Sequence, residues 1–262
     1  MTADQQPGPG LGLPPTINAC LFDLDGVLTR TATVHAAAWQ RMFDSFLRAW
    51  ADRTGQPFVP FDPVREYHQY LDGRPRLAGT RAFLAARAIE LPVGDERDQP
   101  GAWTVHGLSG QKNQLVTRVL REDGVECFPG SVAYLRAVRA AGLACAVVSS
   151  SANTAAVLTA AGLADLFQVR VDARVADRRG LAGKPAPDTF RAAAADLGVP
   201  PERAAVFEDA LAGVAAGRAG GFGLVVGVDR LDQAEELRAH GADLVVTDLA
   251  DLLENRGEDG PR

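Results

Sequence analysis

Residues 17–27 read INACLFDLDGV. A short apolar run, Ile17 to Leu24, closes on Asp23, Leu24, Asp25 and Gly26, as a buried strand does where it gives way to a polar loop. Runs of the same kind follow at Leu143 to Ser149, Phe167 to Val171, Ala204 to Glu208, Phe222 to Val228 and Leu244 to Val246, with helical patterns between them. Continuous apolar strands alternating with helices predict an α/β fold built on a parallel sheet covered on both faces.

The alternation breaks after the first run. From Thr31 to Glu126 the pattern is helical, with segments at Ala32 to Arg53, Val64 to Leu71, Leu77 to Ala88 and Val105 to Arg121. Structureless connections rarely exceed about 15 residues, so this block is read as a second, all-helical domain inserted into the first. The expected division is 16–30 with 128–254 for the sheet domain and 31–127 for the insert, with hinge strands at Leu28 to Arg30 and Cys127 to Pro129. Residues 1–15, rich in Pro and Gly, and 255–262 are expected to be tails.

Composition narrows the class of partner. Hydrophobic residues make up 47% and charged residues 23% of the 262, which suits a globular protein rather than a disordered chain. A net charge of −6 offers no general attraction to nucleic acid or anionic lipid. No apolar run approaches the roughly 20 residues of a membrane span, and the N-terminus lacks the features of a secretory signal. Cys20, Cys127 and Cys145 have no ligand spacing and read as structural thiols in a reducing cytoplasm. Of the 27 Lys and Arg residues, only Lys112 and Lys184 are lysines. An ammonium fits tight polar pockets that a planar guanidinium cannot, so both become site candidates.

Ligands of open parallel sheets bind beyond the carboxyl ends of the strands. There the runs end in Asp23 and Asp25, in Ser149, Ser150, Ser151, Ala152 and Asn153, and in Glu208 and Asp209, while Lys184 lies in a loop after the third run. Converging carboxylates repel unless a cation joins them, and hard oxygen ligands suit Mg²⁺ completed by water and a substrate phosphate. With a hydroxyl and an ammonium beside them to hold phosphate oxygens, the set points to phosphoryl transfer.

Asp23-Leu24-Asp25-Gly26-Val27, Ser149, Lys184 with Pro185, and Glu208-Asp209 together resemble the four motifs of the haloacid dehalogenase-like superfamily, over about Ile17 to Val246. The resemblance implies a Rossmann-like parallel-sheet core with an inserted helical cap. Within it the chain looks most like the β-phosphoglucomutase group, through Thr31, His35 and Trp39, Gly73 and Arg76, Lys112-Asn113, Pro129-Gly130, and Ser151 with Asn153. That group often carries a basic residue where this chain has Ala152, which would leave more of the distal phosphate's charge to Arg74 or Arg76. The resemblance implies that Asp23 is the nucleophile, Asp25 the acid and base, and Ser149 and Lys184 the phosphoryl ligands. Mg²⁺ would be held by Asp23, the Asp25 carbonyl and Asp209, with Glu208 at or near the ion. Arg76 and the Ser151–Asn153 loop would hold the distal phosphate, and His35 and Lys112 would gate Asp25.

Plainer readings stand beside these. His35 and Trp39 are at i, i+4, a spacing equally suited to a packed pair, and Trp39 either stacks on a sugar or fills the helical core. Lys112, Arg74 and Arg76 could be solvated charges. Asp172, Asp188 and Asp248 read as caps or turns. The function expected is interconversion of β-D-glucose 1-phosphate and glucose 6-phosphate through a glucose 1,6-bisphosphate intermediate or primer. The alternatives are a sugar-phosphate phosphatase with the same core and, remotely, a non-enzymatic phospho-receiver. The expected partner is a small phosphorylated sugar, with the chain a monomer or weak homodimer.

Overall fold

Each of the six apolar runs becomes a strand. The computed structural model describes residues 10–254. In chain order the elements are β1 (Ala19–Phe22), α1 (Thr31–Thr54), a π-helical turn (Tyr67–Leu71), α2 (Arg76–Ala86), α3 (Val105–Glu122), α4 (Pro129–Ala140), β2 (Ala144–Val148), α5 (Thr154–Ala160), β3 (Val169–Val171), α6 (Ala173–Arg179), α7 (Asp188–Asp196), β4 (Ala204–Glu208), α8 (Leu211–Gly220), β5 (Leu224–Val228), α9 (Ala234–Ala239), β6 (Leu244–Val246) and α10 (Asp251–Glu254). Contacts divide the chain into two units, one taking in the chain up to Arg30 and from Glu126 on, the other Thr31–Val125.

In the first unit all strand pairs are parallel and the order is β3-β2-β1-β4-β5-β6. The chain steps outward from β1 to β2 and β3, then crosses back to lay β4 on the other side of β1. The strand order therefore reverses beside β1, and a crevice opens there at the carboxyl ends. Register brings the strand ends level: Phe22 pairs with Val147 on one side and Phe207 on the other. Both faces are covered, which is why the strands lack alternation. Leu21, Val148, Val206, Phe190 and Val214 fill one side, while Phe22 stacks on Phe207 at 4.6 Å and meets the edge of Tyr134 on the other.

The second unit is helical. On α1, Trp39, Met42, Phe43, Phe46 and Leu47 recur at the spacing of one helix face and are buried. Phe43 is the centre, with the rings of Trp39, Phe61 and Phe83 around it. Helix α3 starts where the Thr104 side chain accepts the Gly107 N–H at 2.9 Å.

Three expectations need correction. The hinge strands are reduced to a single antiparallel bridge, Thr29 with Cys127, flanked by Arg30 N–H to Glu126 O and Phe128 N–H to Leu28 O, each 2.9 Å. Pro129 has no N–H to extend the ladder and opens α4 instead. The segment Val64 to Leu71 is not a regular α-helix. Its backbone turns on the Asp62 carboxylate, which accepts from Val64 and Arg65, and then widens into the π turn. The expected N-terminal tail reaches too far, because Leu11 is buried and its carbonyl accepts from Tyr134 Oη at 2.9 Å. Residues 1–9 and 255–262, the rest of the expected tails, lie outside the described residues. Asp172 caps α6 by accepting from Val175 at 2.9 Å, and Asp188 and Asp248 accept the backbone N–H groups of Ala182 and Ala250 in local turns.

All three tryptophans, Trp39, Trp50 and Trp103, lie in the helical unit, so tryptophan fluorescence, excited selectively at the red edge, reports that unit alone. Phe43→Ala should destabilise it by about 3–5 kcal/mol through lost burial and a residual cavity. Urea unfolding followed by tryptophan emission should show a clearly lowered midpoint, and an unchanged one would contradict the packing described.

Candidate active site

Because β1 and β4 are level neighbours, the residues that end them meet. Asp23 follows β1 with its N–H on Phe207 O at 2.9 Å, and Glu208 ends β4 with Asp209 next. All three carboxylates are buried, and one oxygen from each lies within 4.8 Å of the others. Two glycines make this closeness possible. A Cβ on Gly26, whose φ is +97°, would overlap the Asp209 carboxylate, and one on Gly213 would overlap that of Glu208.

Lys184 reaches into the cluster from the loop between α6 and α7, one helix later than the loop after β3 where it was expected. Its Nζ donates to Asp23 Oδ1 at 2.5 Å, Glu208 Oε2 at 2.7 Å and Val148 O at 3.2 Å, and its side chain is 1% exposed. Burial alone would lower the affinity of this amine for its proton, but Asp23 and Glu208 more than reverse that and hold the ammonium charged. Burial first, and then Glu208 and Asp25, push the Asp23 carboxyl well above its ordinary range, with Lys184 opposing them. One ammonium against three carboxylates leaves the cluster short of positive charge. A set of hard oxygen donors in that state fits a divalent cation such as Mg²⁺.

The acid-bearing loop and the loop after β2 are linked through Ser149, whose Oγ donates to Asp25 Oδ2 at 3.2 Å. The Asp25 side chain thus faces the hydroxyl rather than joining the three-carboxylate group. Ser151 N–H donates to Ser149 Oγ and Asn153 N–H to Ser151 Oγ, both at 3.1 Å, so the serines are held by their own loop. The Ala152 carbonyl accepts from Arg174 Nε at 3.1 Å. Arg174 is an exposed residue of α6 that no sequence motif marks, and only the fold brings its guanidinium to this loop.

In the helical unit His35 Nδ1 and Lys112 Nζ are 2.9 Å apart, across 77 residues of chain. Lys112 is buried, and its Nζ sits 4.8 Å from the Trp39 ring centre. The solvated reading of Lys112 is therefore wrong. Trp39, expected as a substrate contact or core residue, is 3% exposed and stacked on Phe43. Gly73, at φ +67°, forms the turn after the π-helical segment. Arg74 N–H donates to Leu71 O there, and Arg76 opens α2; both side chains are half-buried.

A family model for haloacid dehalogenase-like hydrolases matches residues 17–221, and the chain belongs to that family. It is 57% identical over 246 residues to a β-phosphoglucomutase of Mycobacterium tuberculosis, covering 93% of this chain and 94% of the relative. A β-phosphoglucomutase of Bacillus subtilis is 30% identical over 236 residues, covering 90% and 92%. Among solved structures, β-phosphoglucomutase from Clostridium difficile superposes with a TM-score of 0.71 at 26% identity, over 90% of this chain and 93% of that one.

Lys184→Met should cost about 3–5 kcal/mol, because it leaves two buried carboxylates facing each other without their cation. Added Mg²⁺ should raise the melting temperature of this variant more than that of the wild type. Equal shifts in thermal melts with and without Mg²⁺ would show that Lys184 does not balance the cluster.

Proposed function

We propose that the protein interconverts β-D-glucose 1-phosphate and glucose 6-phosphate through a bisphosphate, as an Mg²⁺-dependent phosphomutase. The observation that carries this reading is 57% identity to a named β-phosphoglucomutase along nearly the whole of both chains. The buried acid cluster at the strand ends supplies the chemistry such a reaction needs.

Asp23 is the nucleophile: a carboxylate oxygen attacks phosphorus, the bond to the sugar oxygen breaks, and a phospho-aspartate forms. Asp25 donates a proton to the departing oxygen, then takes one from the hydroxyl that attacks the phospho-aspartate in the return step. Ser149 and Lys184 bind the oxygens of the transferring group, with Lys184 exchanging part of its contact to Asp23 and Glu208 for phosphate. Mg²⁺, when held by Asp23, the Asp25 carbonyl and Asp209 with Glu208 alongside, neutralises the charge that repels an incoming phosphate. For the non-reacting phosphate, Ser151, Asn153 and the Ala152 backbone are the candidates in the sheet unit, and Arg76, with Gly73 and Arg74, those in the helical unit. His35 and Lys112, already paired, respond to the sugar and let Asp25 act on it rather than on water.

The substrate is a small phosphorylated sugar and the working state a monomer or weak homodimer. Three free thiols fit the reducing cytoplasm where such sugars are found. Among the described residues no helix is long and apolar enough to cross a membrane.

With Mg²⁺ and a glucose bisphosphate primer, β-D-glucose 1-phosphate should yield glucose 6-phosphate faster than inorganic phosphate. EDTA should stop the reaction reversibly and Asp23→Asn should abolish it. Release of phosphate from many sugar phosphates with no glucose 6-phosphate formed would establish a phosphatase instead. His35→Ala or Lys112→Ala should shift the product ratio toward inorganic phosphate, measured by coupled assays of both products on the same sample.

A further inference from the structure

The loop after β5, residues 229–233, touches both acid-bearing loops. It is shaped by Asp229, whose Oδ1 accepts from the N–H groups of Leu231 at 3.1 Å and Gln233 at 3.0 Å. Gln233 Nε2 donates to the backbone carbonyl of Asp209 at 3.1 Å. Arg230 turns the other way. Its Nε donates to Gly26 O at 3.0 Å and its Nη2 to Val27 O at 3.4 Å and Ser131 Oγ at 3.1 Å. Its Nη1 donates to Thr247 O at 2.7 Å and pairs with Asp248 at 3.4 Å, while the guanidinium lies 3.6 Å from the centre of the Phe128 ring. With 15% of its side chain exposed, Arg230 is part of the framework rather than of the surface.

The two carbonyls that Arg230 holds are those immediately after Asp25. The loop they belong to closes mostly on itself: Leu28 N–H, Thr29 N–H and Thr29 Oγ1 all go to Leu24 O, and Gly26 N–H goes to Thr29 O. Such a closed loop can shift as a body, carrying the Asp25 carboxyl with it. A guanidinium has its donors in a rigid plane, so contacts to Gly26, Val27, Ser131 and Thr247 at once set where that body lies.

We propose that Arg230 is a positioning residue for proton transfer, fixing the loop so that the Asp25 carboxyl meets the leaving oxygen; this rests on the reading of Asp25 as the acid. In the step concerned, an Asp23 oxygen bonds to phosphorus as the ester P–O bond breaks, and the ester oxygen takes the Asp25 proton and leaves as an alcohol. A leaving group stable as an anion departs with the bonding electron pair and needs no proton. Loss of Arg230 should therefore slow one class of ester and spare the other.

The test compares kcat/KM for phenyl phosphate and 2,4-dinitrophenyl phosphate in the full chain with Mg²⁺, since this ratio reports the steps up to phosphorylation of Asp23. Arg230→Ala should lower the value for phenyl phosphate by about 30-fold while that for the dinitrophenyl ester stays within about threefold. Should the alanine variant fold poorly, Arg230→Lys, which keeps the charge but not the planar set of donors, should show the same selective loss. Equal losses on both esters, or none on either, would overturn the positioning role while leaving Asp23 and Asp25 in theirs. Asp25→Asn, measured beside the Arg230 variants, should show the same selective loss on phenyl phosphate; its absence would overturn the reading of Asp25 as the acid, and this proposal with it.

Discussion

The Lys184 ammonium, buried between Asp23 and Glu208, is the contact on which the rest of the site depends. Three carboxylates drawn from two adjacent strands cannot share one water-poor corner without positive charge, and Lys184 is the cation that the described residues place within hydrogen-bond distance of two of them. Its partial compensation leaves room for a divalent ion and for a phosphate. The corner is thus stable enough to fold, yet charged enough to need what it binds. A guanidinium would not reproduce this contact, because its donors lie in one rigid plane, whereas the compact ammonium donates to Asp23, Glu208 and the Val148 carbonyl from a single nitrogen.

The sheet makes this geometry rigid. Because the strand order reverses beside β1, the ends of β1, β2 and β4 are neighbours; Asp23 and Glu208 follow the same register level, and Ser149 lies one residue beyond it. Gly26 and Gly213 then allow side chains to approach backbone more closely than any Cβ permits. Arg230 and Gln233 extend that logic to the loops, tying the backbone after Asp25 and at Asp209 to a single segment after β5. Positions of reacting groups are in this way referred to the sheet rather than to loops that move separately.

The helical unit follows a different economy. Its apolar face on α1 is broad and aromatic, and Trp39 belongs to it; the polar pair His35 and Lys112 sits at its margin, with the Lys112 ammonium over the Trp39 ring.

The sequence alone was enough for the α/β class, the six strands and the interruption after the first, because apolar runs bounded by polar ends reflect burial on both faces of a parallel sheet, a local property of the chain. It also singled out Asp23, Asp25, Ser149, Glu208 and Asp209 as strand-end residues, and the scarcity of lysine drew attention to Lys112 and Lys184, both of which are buried. It could not distinguish sugar contact from core packing for Trp39, since one helical spacing serves both; tertiary structure adds that the ring is buried against Phe43. Nor could it show the shortened hinge, where a proline ends the pairing, or the burial of Leu11 under Tyr134, which joins residues 123 apart. Arg174 and Arg230 are two arginines among many in the sequence. Only tertiary structure distinguishes them, because what an exposed-looking cation does depends on which carbonyls the fold carries to it, and those carbonyls come from segments far away along the chain.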